Sequence, residues 1–299
     1  MNYQIESYPQ DKSYHEIFHE VVQFVNRLNE KHEFLYYHWS RWEWMFALDN
    51  FSADVLSQIK LFRNEKHEIC GMLAFEEVPG VWFATYDHDL KLKQMMANEL
   101  INHLKGDVII PKDDEWVKIL KEHGYEKMDW IDPVARFAKP FENIPTCEGY
   151  TFKSLEEDYN LDEIHHALWK GFNHGDHVMY NDQIRQERLH MTSSPHFKKR
   201  YVWVAIKDGH FVSYAGIWYM KGNKIADIEP VATVPEHRRK GLAGACILHA
   251  MNEAKKDGAK EFYVGSTQKF YYDLGFEPYQ EGYRYTKKSD SLRIAFCLK

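Results

Sequence analysis

Apolar positions set a rhythm that changes along the chain and then begins again. In "YHEIFHEVVQFVNRLNEKH" (14–32), Ile17, Val21, Val22 and Val25 recur at helical spacing. "RWEWMFALDNF" continues as a second helix, and in "FLYYHWSRWEWMF" (34–46) Trp39, Trp42 and Phe46 fit one helical face, which reads as core. "SQIKLFRNEKHEICGMLAFEE" predicts two strands around a polar turn at 64–67, and "GVWFATYDHD" a third. "LKLKQMMANELINHLK" is a helix with Leu92, Met95, Met96, Leu100 and Ile101 on one face. "DVIIP" is a short buried strand, and "DDEWVKILKEHGYEKMDW" is a helix stopped at Gly124 with a strand after it.

The same order then repeats. "YTFKSL" (150–155) is a strand, and "EEDYNLDEIHHALWKGF" and "YNDQIRQERLHM" are helices. The run from Tyr201 to Val234 holds three strands, with turns at Asp208-Gly209 and Gly222-Asn223. "RKGLAGACILHAMNEAKKDG" is a helix with Leu242, Cys246, Ile247, Ala250 and Met251 inward and Gly258 as its stop. A strand "EFYVGS", a helix "QKFYYDLG" and a strand "YRYTKK" complete the second set. The pattern predicts an α+β chain of two domains, 1–140 and 148–299, joined in "KPFENIPTCEGY" (139–150), where two prolines and a glycine interrupt it. The order of elements is duplicated, not the sequence.

Composition narrows the class. A chain of 299 residues with 44% hydrophobic and 28% charged residues matches two ordinary globular domains. The net charge of -7 opposes binding that tracks nucleic-acid phosphates. No stretch of about 18 apolar residues exists to span a membrane, and the polar start has no signal-peptide run, so the reading is a cytoplasmic protein. Cys70, Cys147, Cys246 and Cys297 lack metal or redox spacing and read as reduced thiols. In "FNHGDHVMY" (172–180), His174, Asp176 and His177 stand close, but no further ligand follows at fixed spacing, so no metal is expected.

The candidate chemistry lies in "PEHRRKGLAG" (235–244), which follows the strand "ADIEPVATV" directly. A helix start exposes about four unpaired N–H groups at the positive end of its dipole. Gly241, Ala243 and Gly244 keep the approach open, and Arg238, Arg239 and Lys240 add charge, so the stretch suits a pyrophosphate. Lys240 precedes the glycine and no Gly-Lys-Ser/Thr follows, so it is not a P-loop; nor is it a Gly-x-Gly-x-x-Gly turn. By itself such a helix start is more often a solvated surface. "YYDLGFEP" downstream decides the matter. Together the two stretches resemble the GNAT superfamily of acyl-CoA-dependent N-acyltransferases. The family's Arg/Gln-x-x-Gly-x-Gly/Ala is matched by Arg238, Gly241 and Ala243, its V-x-P loosely by Thr233 and Pro235, and its Tyr-x-x-x-Gly-Phe by Tyr271, Gly275 and Phe276. The resemblance covers about 150–288. The first half is similar to the same fold with the turn eroded: "YDHDLKLKQMM" has no glycine, and "KEHGY" echoes the later motif with Tyr125 for phenylalanine.

The resemblance implies two GNAT-like domains, each a mixed, mostly antiparallel sheet flanked by helices, the first structural or substrate-shaping. It implies acetyl-CoA as co-substrate, held by Thr233, Val234, Arg238, Arg239, Lys240, Gly241, Leu242, Ala243, Gly244 and, weakly, Ser266. Thr233 and Val234 would pair with the pantetheine amides, and Tyr271 would protonate the leaving thiolate. A lysine-like amine costs roughly 4 to 5 kcal/mol to deprotonate at neutral pH, so a base is needed. Glu229 is favoured, with Asp227 close behind; both lie on one face of a strand, where they could equally meet solvent or an arginine. Pro230 removes a strand N–H and predicts an edge or splayed segment. The expected partner is a small-molecule primary amine. Two other readings stay open: a non-catalytic acyl-CoA-binding regulatory module, and an aminoacyl-tRNA-dependent transferase, which the acidic charge and the intact turn oppose.

Overall fold

The computed structural model describes residues 2–140 and 143–288, so Cys297 and positions 141–142 of the expected join lie outside the described residues. In chain order the first elements are β1 (Gln4–Ser7), α1 (Glu16–Asn29), α2 (Trp39–Leu48), β2 (Lys60–Arg63), β3 (Ile69–Ala74), β4 (Val81–Tyr86), α3 (Leu90–Glu99), β5 (Asp107–Ile110), α4 (Asp114–Glu122) and β6 (Tyr125–Phe137). Then come β7 (Thr151–Ser154), α5 (Leu161–Gly171), α6 (Asp182–Met191), β8 (Val202–Lys207), β9 (His210–Trp218), β10 (Ile225–Thr233), α7 (Leu242–Lys256), β11 (Glu261–Val264), α8 (Lys269–Leu274) and β12 (Phe276–Lys287). The periodic segments became the elements their period predicts. β1 is the addition: four mostly exposed residues that pair with β2 from Gln4↔Arg63 to Ser7↔Lys60 and carry too little apolar pattern to be seen in sequence.

The chain divides into two compact units. One is Met1–Val134 together with the chain from Tyr279 onward; the other is Ala135–Pro278. A simple cut near residue 140 therefore does not describe the fold. The C-terminal end of β6 pairs with β11 in the second unit (Tyr263↔Arg136, Val264↔Ala135), while β12 beyond Tyr279 pairs with β5 in the first (Tyr283↔Ile110, Arg284↔Ile109). Local patterning marks a strand but not the neighbour it chooses.

Each unit is a mixed sheet flanked by helices. In the first, the strand order is β1-β2-β3-β4-β5-β12, with β4 and β5 parallel and β1–β2, β2–β3, β3–β4 and β5–β12 antiparallel. In the second, the end of β6 is followed by β11-β10-β9-β8-β7, with β10 and β11 parallel. The β8–β9 hairpin turns at Asp208 (φ 51°) and Gly209 (φ 86°), both left-handed as a tight hairpin turn of matching twist requires. Trp39, Trp42 and Phe46 are buried in the first core. In the second, Leu242, Cys246, Ile247, Ala250 and Met251 of α7 are buried, each large apolar side chain contributing about 1.5–3 kcal/mol. Cys70, Cys147 and Cys246 are free thiols.

Candidate active site

The second sheet opens along β10. This strand pairs with β9 from Asp227 to Thr233 but with β11 only at Ile225–Asp227. Beyond Asp227 the parallel strands part, and one flank of β10 leaves the ladder. The register with β9 also slips: Glu229 and Pro230 together stand opposite Gly216, a β-bulge. A Cβ on Gly216 would lie 2.8 Å from the Glu229 carbonyl oxygen, so glycine lets the bulge close. Pro230 thus sits at a bulge in an interior strand. Of the two alternatives its presence raised, edge or splayed segment, the strand is splayed.

Strand alternation decides which backbone groups face the opening. The Val234 N–H donates to the Val212 carbonyl at 3.0 Å, which makes that pair hydrogen-bonded and the neighbouring Thr233/Ser213 pair non-bonded. The N–H and C=O groups of Thr233 and, two residues back, Val231 therefore point away from β9. Of the expected pair, Thr233 faces the opening but Val234 does not, because its N–H donates inside the sheet; Val231 faces the opening instead.

The opening forms a cleft of about 660 Å³. Its walls are Val231–Thr233 of β10, Gly171, Phe172 and Asn173 at the end of α5, Arg238, Arg239 and Gly241–Ala243 at the start of α7, and Gln268, Phe270 and Tyr271 of α8 and its approach. The α7 start is built for an anion. Among the described residues, the six other helices of nine residues or more each have a polar side chain accepting from the first turn: His15, His38, Asp89, Asp113, Asn160 and Asn181. Gly241 caps α7 with none. The first helical bond runs from Ala245 N–H to Gly241 at 3.0 Å, leaving the N–H groups of Leu242, Ala243 and Gly244 outside the ladder. Gly241 (φ 80°) and Arg239 (φ 60°) are both left-handed, a backbone turn that gathers N–H groups into a concavity. A Cβ on Gly241 would meet nothing nearer than the Cys147 Sγ at 3.6 Å, so its conformation, not crowding, calls for glycine. This donor set fits a pyrophosphate.

The basic residues divide their work. Arg239 lines the cleft. Arg238 lines it too, but its guanidinium is engaged: Nε donates to the Thr233 carbonyl at 3.0 Å and Nη2 to the Gly171 carbonyl and Asn173 Oδ1, each at 2.9 Å. It ties the end of α5 to the end of β10. Lys240 reaches the Tyr150 hydroxyl at 3.1 Å and the Glu236 carbonyl at 3.2 Å, and is absent from the cleft wall. Gly244 is buried, and a Cβ there would press Leu274 at 3.2 Å, so it serves helix packing. The Ser266 hydroxyl accepts from the Gln268 N–H at 3.1 Å, and Gln268 takes the place on the cleft wall expected for Ser266.

Tyr271 is 8% exposed, on the cleft wall, with its ring edge-on to Phe276. Burial raises its phenol pKa well above the ordinary tyrosine value, and the charges of Glu229 and Asp227 raise it further. Both carboxylates therefore act on the same hydroxyl. Asp227 is 7% exposed and Glu229 is half-buried.

Gly171, Phe172, Asn173, Gln268 and Phe270 were not legible as site residues. Only Gly171 carried a signal, a glycine at a helix end. A Cβ on it would lie 2.6 Å from the Ala232 Cβ and 2.9 Å from the Thr233 nitrogen, so glycine lets α5 touch β10. In the following loop, Asp176 pairs with Lys170 at 3.1 Å and the His174 ring lies 5.2 Å from Trp169. Among the described residues no group of three or more His, Cys, Asp or Glu is placed to hold a metal ion. The first unit's counterpart is closed to anions: the Asp89 carboxylate caps α3 by accepting from Leu92 N–H at 2.9 Å, and Asp87 is held by Arg27.

A parallel strand splayed from its neighbour, with an uncapped helix start at the opening, makes a cleft that offers backbone donors to an anionic ligand. Residues 161–276, within the second unit, match the acetyltransferase (GNAT) family model. No curated protein sequence matches the chain significantly. Among solved structures, a GCN5-related N-acetyltransferase from Sphaerobacter thermophilus aligns over 95% of this chain and 94% of its own, at 13% identity and a TM-score of 0.57. A tandem GNAT protein from the clavulanic acid biosynthesis pathway aligns over 95% and 98%, at 11% identity and a TM-score of 0.56. At these identities the likeness establishes the fold. Among the described residues, no helix is long and apolar enough to cross a membrane.

Proposed function

We propose that the protein is an acetyl-CoA-dependent N-acetyltransferase acting on the primary amine of a small molecule, with its chemistry in the second unit. One observation carries the reading: Tyr271, kept protonated by burial and by Asp227 and Glu229, shares a cleft with the uncapped start of α7. Acetyl-CoA, when bound, supplies the acetyl thioester. The α7 N–H groups and Arg239 would hold its pyrophosphate, and the Val231 and Thr233 backbone its pantetheine amides. Glu229 or Asp227, directly or through a water, takes the proton of the attacking amine. As the new C–N bond forms and the C–S bond breaks, the Tyr271 O–H gives its proton to the departing sulfur. Charges then balance: one proton leaves the amine and one reaches the thiol. The first unit shapes the protein without a cofactor site of its own.

The test is release of free thiol from acetyl-CoA over a panel of amines, amino acids, aminoglycosides and peptides. Turnover with at least one amine, lost in Tyr271→Phe, supports the proposal. Acetyl-CoA binding with no turnover on any amine favours a non-catalytic binding module instead. Absence of acetyl-CoA binding would remove the reading altogether.

A further inference from the structure

Arg188 on α6 is a guanidinium that no carboxylate among the described residues contacts directly. Its Nε donates to His165 Nδ1 at 3.3 Å and its Nη1 to the Met191 sulfur at 3.4 Å, and neither is an anion. No carboxylate among the described residues forms an ion pair with it; the neighbouring Glu187 is exposed and takes the amide of Gln183. Burial lowers the pKa of this arginine by more than the nearby charge of Glu187 raises it.

The groups around it are also short of acceptors. His165 is 2% exposed, and burial lowers its pKa to about 4, so it is neutral at physiological pH. Since Nδ1 accepts from Arg188, the proton sits on Nε2, and that N–H has no partner within the protein. Trp169, its ring 5.5 Å from His165, buries an unpartnered Nε1–H. Tyr214 is fully buried, its hydroxyl unpartnered and electrostatically coupled to Arg188. Each unmet group can donate; the His165 ring touches Arg188, Tyr214 feels its charge, and Trp169 lies beside His165. Buried donors are normally satisfied, so the complement of this set is an anion.

The set adjoins the cleft. Tyr214 is the cross-strand partner of Ala232, and Trp169 lies two residues before Gly171; both Ala232 and Gly171 line the cleft. We infer that Arg188, His165, Trp169 and Tyr214 receive an anionic group of the acceptor, a carboxylate, so that the acceptor is an amine that also carries an acid. A single guanidinium flanked by neutral donors matches one negative charge rather than two. This inference rests on the acetyl-transfer reading for its role, though not for the anion site itself.

The experiment is thermal unfolding of the full chain, wild type, Arg188→Met and Arg188→Lys, in sodium chloride, acetate or phosphate at equal ionic strength. In chloride, Arg188→Met should melt higher by about 2 °C, because an unpaired, largely buried cation is gone. Acetate should raise the wild-type midpoint, Arg188→Lys should keep part of that rise, and Arg188→Met should lose it. A rise that survives in Arg188→Met, or no rise at all, overturns the site. A variant melting well below wild type overturns it too, by marking Arg188 as structural. An Arg188-dependent rise in phosphate but not in acetate overturns the carboxylate assignment. Calorimetry with acetyl-CoA separately reads the cofactor cleft, so failure of the transferase reading is distinguishable. Where acetyl-CoA binds, an α-amino acid should show a KM roughly 10- to 100-fold below that of its amide, the range for losing one charged hydrogen bond. In Arg188→Met that ratio should fall towards one.

Discussion

Tyr271 concentrates the chemistry of the cleft in one hydroxyl. Tyr271→Phe keeps the ring that packs on Phe276 and removes the proton, so turnover should fall roughly 10²-fold with acetyl-CoA affinity nearly kept, as read by steady-state rates and calorimetry. Its raised pKa has a sign: the donor form persists to higher pH than in a free tyrosine, so any alkaline loss of rate due to Tyr271 should lie above about 10. The base should show on the acid side. Glu229→Gln should move or abolish the low-pH limb; if Asp227→Asn does so instead, the more buried carboxylate is the base. Gly241→Val is different in kind. Nothing crowds the site, but a β-branched residue at φ 80° is strained, and the start of α7 must rearrange. Acetyl-CoA binding should vanish in calorimetry while the far-ultraviolet spectrum stays native. Gly241 and Tyr271 were legible because their motifs are fixed in spacing. The side-chain directions of Arg238 and Lys240 were not, since adjacent cations in a turn look alike until their partners are placed.

Helices and strands were the most readable scale. The faces of α1 and α7 and the three strands from Val202 to Thr233 follow from periodicity. The bulge at Glu229–Pro230 and the parting of β10 from β11 do not, because they are relations between strands. Caps were partly readable. His38, 2% exposed, caps α2 by accepting from Ser40 N–H, and burial lowers its pKa to about 3. The folded protein resists a proton that the unfolded chain takes at about 6.5, so the stability His38 contributes is complete above that pH. It is lost as pH falls from about 6.5 towards 3, by at most about 1.4 kcal/mol per pH unit. Urea midpoints measured from pH 7 to 5 should fall, and His38→Asn, which still caps but does not titrate there, should flatten the slope. Gly171→Ala would force α5 off β10; overpacking of this kind costs about 1–3 kcal/mol. Its denaturation midpoint should drop, and its KM for acetyl-CoA should change with it.

At the scale of the whole molecule the two units are alike in plan and unlike in chemistry. One α7-type helix start and one Asp89-capped start predict a stoichiometry of one acetyl-CoA per chain, measurable by calorimetry. The first unit depends on the end of the described chain. Asp107 is 2% exposed and held by Arg284 of β12. Arg284→Met leaves that carboxylate buried and unpaired, and should destabilise by about 3–5 kcal/mol in chemical denaturation. Duplicated patterning revealed that there are two units; it held no record that β12 returns to the first. That return sets an order in time. A ribosome delivers the residues from Ala135 to Pro278 as one uninterrupted stretch, and they can complete their own sheet while the earlier residues still lack β12. The half synthesised first is therefore finished last, the reverse of the usual N-terminal-first order. Chains stalled with residue 278 just outside the exit tunnel should resist protease across the second unit and be cut within the first.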